Sequence, residues 1–272
     1  MPDMSEDVYS HGHHESVINS HALRTARDSA AYLLPHLLPG CDVLDVGSGP
    51  GSITADFAEL VAPGNVTGVD READVVAHAT ELAARRGLGN LSFRSGDVYN
   101  LDVGDDTFDI VHAHQILHHL ADPVAAMREM RRVAKPGGLI AAREGDYGAM
   151  RWFPEAAALD QWMDIYQKIA RGNGAEPNAG RRLLSWANQA GLTGIIPSAT
   201  TWVYASEPDR PQFADSWAER IVHSSYGTQA IERGLADSSE LQNMAEGFRA
   251  WGANPDGWFV MIHAEILAWV DG

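Results

Sequence analysis

Apolar and polar positions alternate along the chain with two periodicities, one typical of strands and one typical of helices. The apolar runs VLDV at 43–46 and VTGVD at 66–70 predict buried strands. Between them, Ile53 and Phe57 recur at helical spacing, and Ser52 stands where a helix N-cap is expected. Strands and helices that alternate in this way are typical of an α/β protein with a parallel sheet.

The same alternation continues to the end of the chain. We expect helices over 21–36 and 72–86, and further strands at 91–94, 108–115, 139–144, 195–204 and 258–269. Gly87 marks the end of the second of these helices. The pattern therefore predicts a doubly wound sheet with helices on both faces.

The turn after the first strand carries glycines at 47, 49 and 51, and Asp70 ends the second strand 23 residues after Gly47. A carboxylate at this distance from a glycine turn is suited to a ribose. The dinucleotide fingerprint needs a third small residue where helix and strand close around a pyrophosphate, and Ser52 occupies that slot. The pattern indicates a nucleoside ligand and argues against a dinucleotide.

At this point the chain resembles the class I S-adenosylmethionine (SAM) dependent methyltransferases, in particular their UbiE-like, small-molecule branch. The resemblance extends through Ser95–Val98, the end of the 108–115 strand, the turn Lys135–Gly138 and the fifth strand. It implies SAM as the cofactor and a Rossmann-like sheet of seven strands with the last one antiparallel. It also implies an N-terminal helical lid and helical cap insertions above the sheet.

The resemblance assigns roles to the residues around the cofactor. Asp97 is expected to accept from the adenine amino group, Val98 to pack on the ring, and the backbone of His112 or Ala113 to hold the methionine amino group. An alternative for Asp97 is that it caps the following turn. The expected cofactor-binding residues are Asp45, Gly47, Gly49, Asp70, Arg71, Gly96, Asp97, Val98, His112, Ala113, Gln115 and Arg24.

The composition and charge of the chain limit the kinds of molecule that it can be expected to bind. The 272 residues carry a net charge of −17, which argues against nucleic acid because phosphate binding needs a basic face. The single cysteine, Cys41, fits a reducing compartment, and no apolar run reaches 18 residues. We expect a cytoplasmic monomer or homodimer that acts on a small molecule, away from membranes.

The N-terminus places three imidazoles and a carboxylate between His11 and Glu15. Such a tract could bind zinc, but methyl transfer from a sulfonium needs no Lewis acid, so we expect no metal. The resemblance favours a lid over residues 1–40, in which Tyr9, His13, His14 and Arg24 approach the ligands. An exposed polar arm is the alternative.

The chain divides into segments around this lid. We expect the SAM-binding core at 41–148, a cap insertion at 149–180, a core helix and strand at 181–206, a second cap insertion at 207–254 and the final strand at 255–272. Tyr147, Trp152, Trp217 and His223 are candidates to bind the acceptor together with Tyr9 and His13. Ordinary packing inside the cap is the alternative for the aromatic residues.

Five side chains are candidates for proton transfer or for orienting the acceptor. We expect Glu144 or Asp146 to orient the acceptor and His14 or His118 to remove a proton, with His223 as a further candidate.

The expected reaction moves the SAM methyl group to a small aromatic or heteroaromatic acceptor in secondary metabolism. Carbon is the favoured atom, as in quinone or indole methylation, although the acidic stretch Arg143–Tyr147 argues against a quinone itself. O- or N-methylation is the alternative. From other classes, we weigh an NAD(P)-dependent oxidoreductase and a non-catalytic SAM-binding module. The sequence has no Tyr-x-x-x-Lys pair, which argues against the oxidoreductase.

Overall fold

Eight strands form one sheet in a computed structural model that describes residues 24–271. The strands are β1 (Val43–Val46), β2 (Val66–Asp70), β3 (Leu91–Ser95), β4 (Phe108–His114), β5 (Ala134–Gly145), β6 (Arg151–Phe153), β7 (Thr193–Tyr204) and β8 (Trp258–Trp269). The first five lie in the order β3-β2-β1-β4-β5 and are all parallel. Their carboxyl ends therefore meet at one edge, where open α/β sheets bind ligands.

The last strand is antiparallel, as predicted. One edge of β8 pairs with β7 along nearly its whole length, and the other pairs with β5 at 263–269 and with β6 at 258–260. The sheet is thus the predicted seven strands plus β6, a three-residue strand that continues the line of β5. So short a strand was not predicted because three residues carry no readable alternation.

Helices cover both faces of the sheet and its carboxyl edge. They are α1 (Ala26–Ser29), α2 (Ser52–Val61), α3 (Ala73–Arg86), α4 (Pro123–Val133), α5 (Ala157–Gly172), α6 (Leu183–Gln189), α7 (Asp209–His223), α8 (Ser225–Glu232) and α9 (Ser238–Ala253). Local signals fix several ends: the Asp122 side chain caps α4, and Gly87 ends α3 with a φ of 68°. In the described part of the chain, no helix is long and apolar enough to cross a membrane.

Two local predictions were wrong. In place of a helix over 21–36, of which residues 21–23 lie outside the described part, the structure has the four-residue α1 and a separate 3-10 turn at Leu34–His36. Pro35 lies at the start of that turn, where its missing N–H is tolerated, whereas it would break a continuous helix. Ser52 is the first residue of α2, and Gly51, with a φ of 83°, is the N-cap.

The helices α5, α7, α8 and α9 gather around a separate apolar core centred on Trp162. Its ring packs edge-on against Trp217 and Phe248, at centroid distances of 4.5 and 5.4 Å. Phe259 of β8 belongs to the same cluster and connects it to the sheet. The helices that we expect to form the cap are thus one packed unit. The boundaries between lid, core and cap stay predictions.

Candidate active site

The glycine turn after β1 is closely packed at Gly47 and open at Gly49. Gly47 and Gly49 have φ values of 69° and 53°, in the region that disfavours side chains. A Cβ at Gly47 would lie 2.1 Å from Ile116 Cγ2, whereas a Cβ at Gly49 would meet nothing within 4 Å. Gly47 therefore lets the turn pack against the segment after β4, and Gly49 faces a space that a ligand could enter.

Asp70 joins the three segments that we expect to hold the cofactor. Its Oδ2 accepts from the backbone N–H of Gly49 at 2.9 Å, and its Oδ1 accepts from the N–H of Glu72 at 3.1 Å. Its carbonyl accepts from the N–H of Gly96 at 3.0 Å. A carboxylate oxygen can accept more than one hydrogen bond, and the expected bonds from ribose hydroxyls to Asp70 stay a prediction.

The loop after β3 shows the capping role that we considered for Asp97. Its Oδ1 accepts from the N–H of Tyr99 at 2.9 Å, which stabilises the turn. Val98 is partly buried against the core beneath the loop, and Arg71 is exposed. Roles for these residues toward adenine and ribose stay predictions.

Asp45 and His112 have side chains that point into the core. Asp45 is 3 % exposed, and its two oxygens accept from Thr54 Oγ1 at 2.5 Å and from His112 Nδ1 at 2.7 Å. These bonds connect β1 to α2 and β4, and the expected contact from Asp45 to the cofactor stays a prediction. His112 and Ala113 are paired with β1 on one side and β5 on the other, and the backbone contact expected from one of them to the methionine amino group stays a prediction.

The structure brings His118 and Glu144 together at the carboxyl edge. Glu144 is fully buried and accepts from the N–H groups of Ile116 and Leu117 at 2.9 and 2.7 Å and from His118 Nδ1 at 2.6 Å. A carboxylate only accepts, so the proton of a neutral His118 resides on Nδ1 and leaves Nε2 as the basic nitrogen. This nitrogen is buried and has no hydrogen-bond partner in the described structure. The pair has the geometry of a general base with its orienting carboxylate.

Asp146 does not join this pair. Both of its oxygens accept from the Arg181 side chain, at 2.6 and 2.7 Å, and one also accepts from the Arg181 N–H at 3.0 Å. These bonds raise the pKa of Arg181. Because Arg181 engages both oxygens, the structure favours Glu144 of the two candidate carboxylates, and a role for Asp146 in orienting the acceptor stays a prediction.

The four described candidates for acceptor binding lie in different surroundings. Tyr147 lies beside His118, with ring centroids 6.3 Å apart, and stacks on Tyr166 at 4.2 Å. Trp152 stacks on Phe259, and with Trp217 it belongs to the cap core, as the packing alternative expected. The side chain of His223 is 58 % exposed and lies 3.7 Å from Glu219, and a role for it toward the acceptor stays a prediction. Tyr9, His13 and His14 lie outside the described residues.

A polar cluster on one face of the sheet was not predicted. It contains His114 at the end of β4, Arg143 on β5, Trp202 on β7 and His263 on β8. Arg143 stacks on the Trp202 ring at 4.8 Å, and His263 lies 4.3 Å from it. Gln115 donates its side-chain amide to His263 Nε2 at 2.7 Å, and its N–H to the Arg143 carbonyl at 2.8 Å. The only sequence signal was the spacing of His112 and His114, which puts both on one face of a strand.

Burial controls the protonation of this cluster. Burial, followed by the charges of Arg24 and Arg143, holds the pKa of His114 well below its usual range. Burial and Arg143 have the same effect on the pKa of His263. Both imidazoles are therefore neutral at neutral pH. Among the residues that the structure describes, no group of three or more His, Cys, Asp or Glu side chains is placed to hold a metal ion.

Comparisons with known proteins agree with this architecture. A family model described as a methyltransferase domain matches residues 37–191. The chain is 34 % identical to the uncharacterized methyltransferase C1B3.06c of Schizosaccharomyces pombe, with 95 % of each chain covered. It is 36 % identical to the ubiquinone/menaquinone biosynthesis C-methyltransferase UbiE of Bdellovibrio bacteriovorus, over 39 % of this chain and 44 % of that one. The crystal structure of YcgJ from Bacillus subtilis shares the fold, with a TM-score of 0.60 and 18 % identity over 90 % of this chain and 99 % of that one.

The chain belongs to the methyltransferase domain family. The predicted class, a class I methyltransferase that uses SAM, and the predicted fold are thereby confirmed.

Proposed function

We propose that this methyltransferase transfers the SAM methyl group to a small aromatic or heteroaromatic acceptor, most favourably to carbon, and that His118 removes the proton. The observation that carries the proposal is the buried contact of 2.6 Å between His118 and Glu144. The pair adjoins the glycine turn, since Ile116, which donates to Glu144, also packs on Gly47.

SAM supplies an electrophilic methyl group on a sulfonium, and the bond from that carbon to sulfur breaks with its electron pair going to sulfur. The protein's part is to hold the acceptor atom in line behind the methyl carbon, which alone contributes several kcal/mol. A carbon acceptor must lose its ring proton after transfer, and an oxygen or nitrogen acceptor must lose one before or after. Nε2 of His118 takes that proton, and Glu144 stabilises the imidazolium that forms.

The aromatic acceptor is supported by Tyr147, whose ring stacks on Tyr166 and lies next to His118. Flat aromatic walls favour a flat ligand through stacking and buried area. Carbon is favoured because the relative from Bdellovibrio is named a C-methyltransferase. An O- or N-methyltransferase remains the alternative, because the same histidine would accept a proton from a hydroxyl or an amine.

Two other classes are less well supported. A nicotinamide-dependent oxidoreductase would need a glycine or alanine where Ser52 begins α2. A non-catalytic SAM-binding module would have no use for a base that is buried and backed by a carboxylate. The net charge of −17 further supports a small-molecule acceptor over a nucleic acid. The single cysteine fits a reducing, cytoplasmic setting.

The test combines a substrate screen with one substitution. Wild-type protein is incubated with SAM and a panel of phenols, indoles and aromatic amines, and products are detected by the added mass of a methyl group. For any product found, His118→Asn is expected to lower kcat by about 10²–10⁴-fold, because the base is lost. The affinity for S-adenosylhomocysteine should not change.

The matched control is His78→Asn, since His78 is an exposed histidine on α3 whose ring bonds the carbonyl of Asp74 in the same helix. This variant should keep the wild-type rate. A His118→Asn enzyme with wild-type kcat would remove His118 from the chemistry.

A further inference from the structure

The cluster around His114 contains polar atoms that are buried and unsatisfied. His114 is 8 % exposed, and neither of its ring nitrogens has a hydrogen-bond partner in the described structure. Nη1 of Arg143 is also buried and without a partner. An unsatisfied buried polar group costs about 1–3 kcal/mol of stability, so several of them in one place indicate a site that binds a ligand.

The carboxylates near this site are already used. Glu265 accepts from Arg143 Nε at 3.1 Å, from Thr200 at 2.5 Å and from Ser198 at 2.9 Å. Asp45 accepts from Thr54 and His112. The buried atoms without a hydrogen-bond partner in the described structure therefore include Nη1 of Arg143, whose two N–H groups only donate, and the neutral imidazole of His114, which offers one donor and one acceptor. Nδ1 of His263, Nε2 of His112 and the hydroxyl of Tyr32 belong to the same set.

The charges that act on His114 are positive. Arg24 and Arg143 both lower its pKa, after the larger effect of burial. Both guanidinium groups also stack on Trp202, at 5.2 and 4.8 Å from the ring centroid. A potential that disfavours a proton on His114 favours a negatively charged oxygen beside it.

We propose that His114 and Arg143 form a binding site for an anionic oxygen of the methyl acceptor, so that the acceptor is an acidic aromatic compound carrying a carboxylate or an ionised ring hydroxyl. The inference rests on the proposed function and names its substrate class. His114 ends β4, and Gln115, the next residue, leads into the segment of His118, so the two histidines have separate roles. The one backed by a carboxylate accepts a proton, and the one surrounded by arginines binds the anion.

Trp202 lies next to His114 and connects it to the segment before β1. The Trp202 ring lies 6.2 Å from the His114 ring, and its Nε1 donates to the carbonyl of Asp28 at 3.1 Å. This bond ties the start of the described chain across the cluster. Because the nitrogens of His114 are buried, the proposal requires the segment at Arg24–Asp28 to move aside when the acceptor binds.

The same anionic-oxygen chemistry could come from the methionine carboxylate of the cofactor, and the experiment separates the two sources. Protein saturated with S-adenosylhomocysteine is titrated calorimetrically with pairs of aromatic acids and their amides: benzoate, 4-hydroxybenzoate, 2-naphthoate and indole-3-acetate, each with its carboxamide. We expect at least one acid to bind at least about tenfold more tightly than its amide, as expected for a hydrogen bond to a charged group.

His114→Leu removes both nitrogens and should abolish this preference, while His114→Gln, which keeps a donor and an acceptor, should retain part of it. His78→Leu is the control and should behave as wild type. Equal binding of acids and amides, or no binding of any acid, would overturn the inference and leave the proposed methyl transfer intact. A loss of S-adenosylhomocysteine affinity in His114→Leu would assign the oxygen to the cofactor and also overturn it. Failure of the wild-type protein to bind S-adenosylhomocysteine would instead contradict the proposed function.

Discussion

Substitution of Glu144 tests whether the pair with His118 is a structural element as well as a chemical one. The carboxylate accepts from three buried donors, the N–H groups of Ile116 and Leu117 and Nδ1 of His118. In Glu144→Ala all three lose their acceptor, and at about 1–3 kcal/mol for each unsatisfied buried donor the variant should lose about 3–9 kcal/mol of stability. Domains are stable by about 5–15 kcal/mol, so Glu144→Ala is expected to be close to unfolding.

Urea unfolding followed by circular dichroism measures this loss. The matched control is Glu246→Ala, which removes an exposed carboxylate on α9 and should leave the unfolding midpoint within error of wild type. If Glu144→Ala unfolds at the wild-type midpoint, the three hydrogen bonds do not contribute the expected amount of about 3–9 kcal/mol to the free energy of unfolding.

Glu144→Gln separates the fold from the chemistry. Its amide oxygen still accepts from the backbone N–H groups, so the loss of stability should be well below that of Glu144→Ala. Its NH₂ group would face His118 Nδ1 and favour the tautomer with the proton on Nε2, which blocks that nitrogen as a base. We therefore expect a folded protein that binds S-adenosylhomocysteine normally and turns over at least about 100-fold more slowly. Wild-type turnover in this variant would refute the role of the pair.

Three further predictions concern the cofactor site and its surroundings. Gly49→Ala and Gly87→Ala both place a side chain at positive φ with nothing within 4 Å, so each should lose about 1–2 kcal/mol of stability in urea unfolding. Only Gly49→Ala should weaken the binding of S-adenosylhomocysteine measured by calorimetry. Equal affinities of the two variants would mean that no ligand approaches Gly49. Asp70→Ala should weaken SAM binding by at least about tenfold, whereas Asp74→Ala, on the first turn of α3, should not; an unchanged affinity in Asp70→Ala would exclude the ribose contact. Asp146→Ala should lower the free energy of unfolding by about 1–3 kcal/mol through loss of the Arg181 bonds and leave turnover unchanged. A selective loss of turnover would instead place Asp146 in the active site.

Features written in contiguous residues were predictable from the sequence. The glycine turn and Asp70 follow from a local pattern, and the structure joins them through the bond from Gly49. The limits of β8 also agree with the predicted 258–269, because a long apolar strand has a clear pattern.

Contacts between distant segments were not predictable. Asp146 meets Arg181 across 35 residues, and Arg143 meets Glu265 across 122. Periodicity shows that such side chains lie on helices or strands, but it does not show which opposite charge each will face. The same limit explains why the pairing of Asp146 with Arg181 was not predicted and why the cluster at His114 was missed.

The most direct test of the account is calorimetric titration of the purified protein with SAM, S-adenosylhomocysteine and NAD. Micromolar binding of both sulfur nucleosides without binding of NAD is the predicted result, and in Asp70→Ala the binding of SAM should be weakened by at least about tenfold. Binding of NAD alone would contradict the assignment of the glycine turn and with it the account of the site.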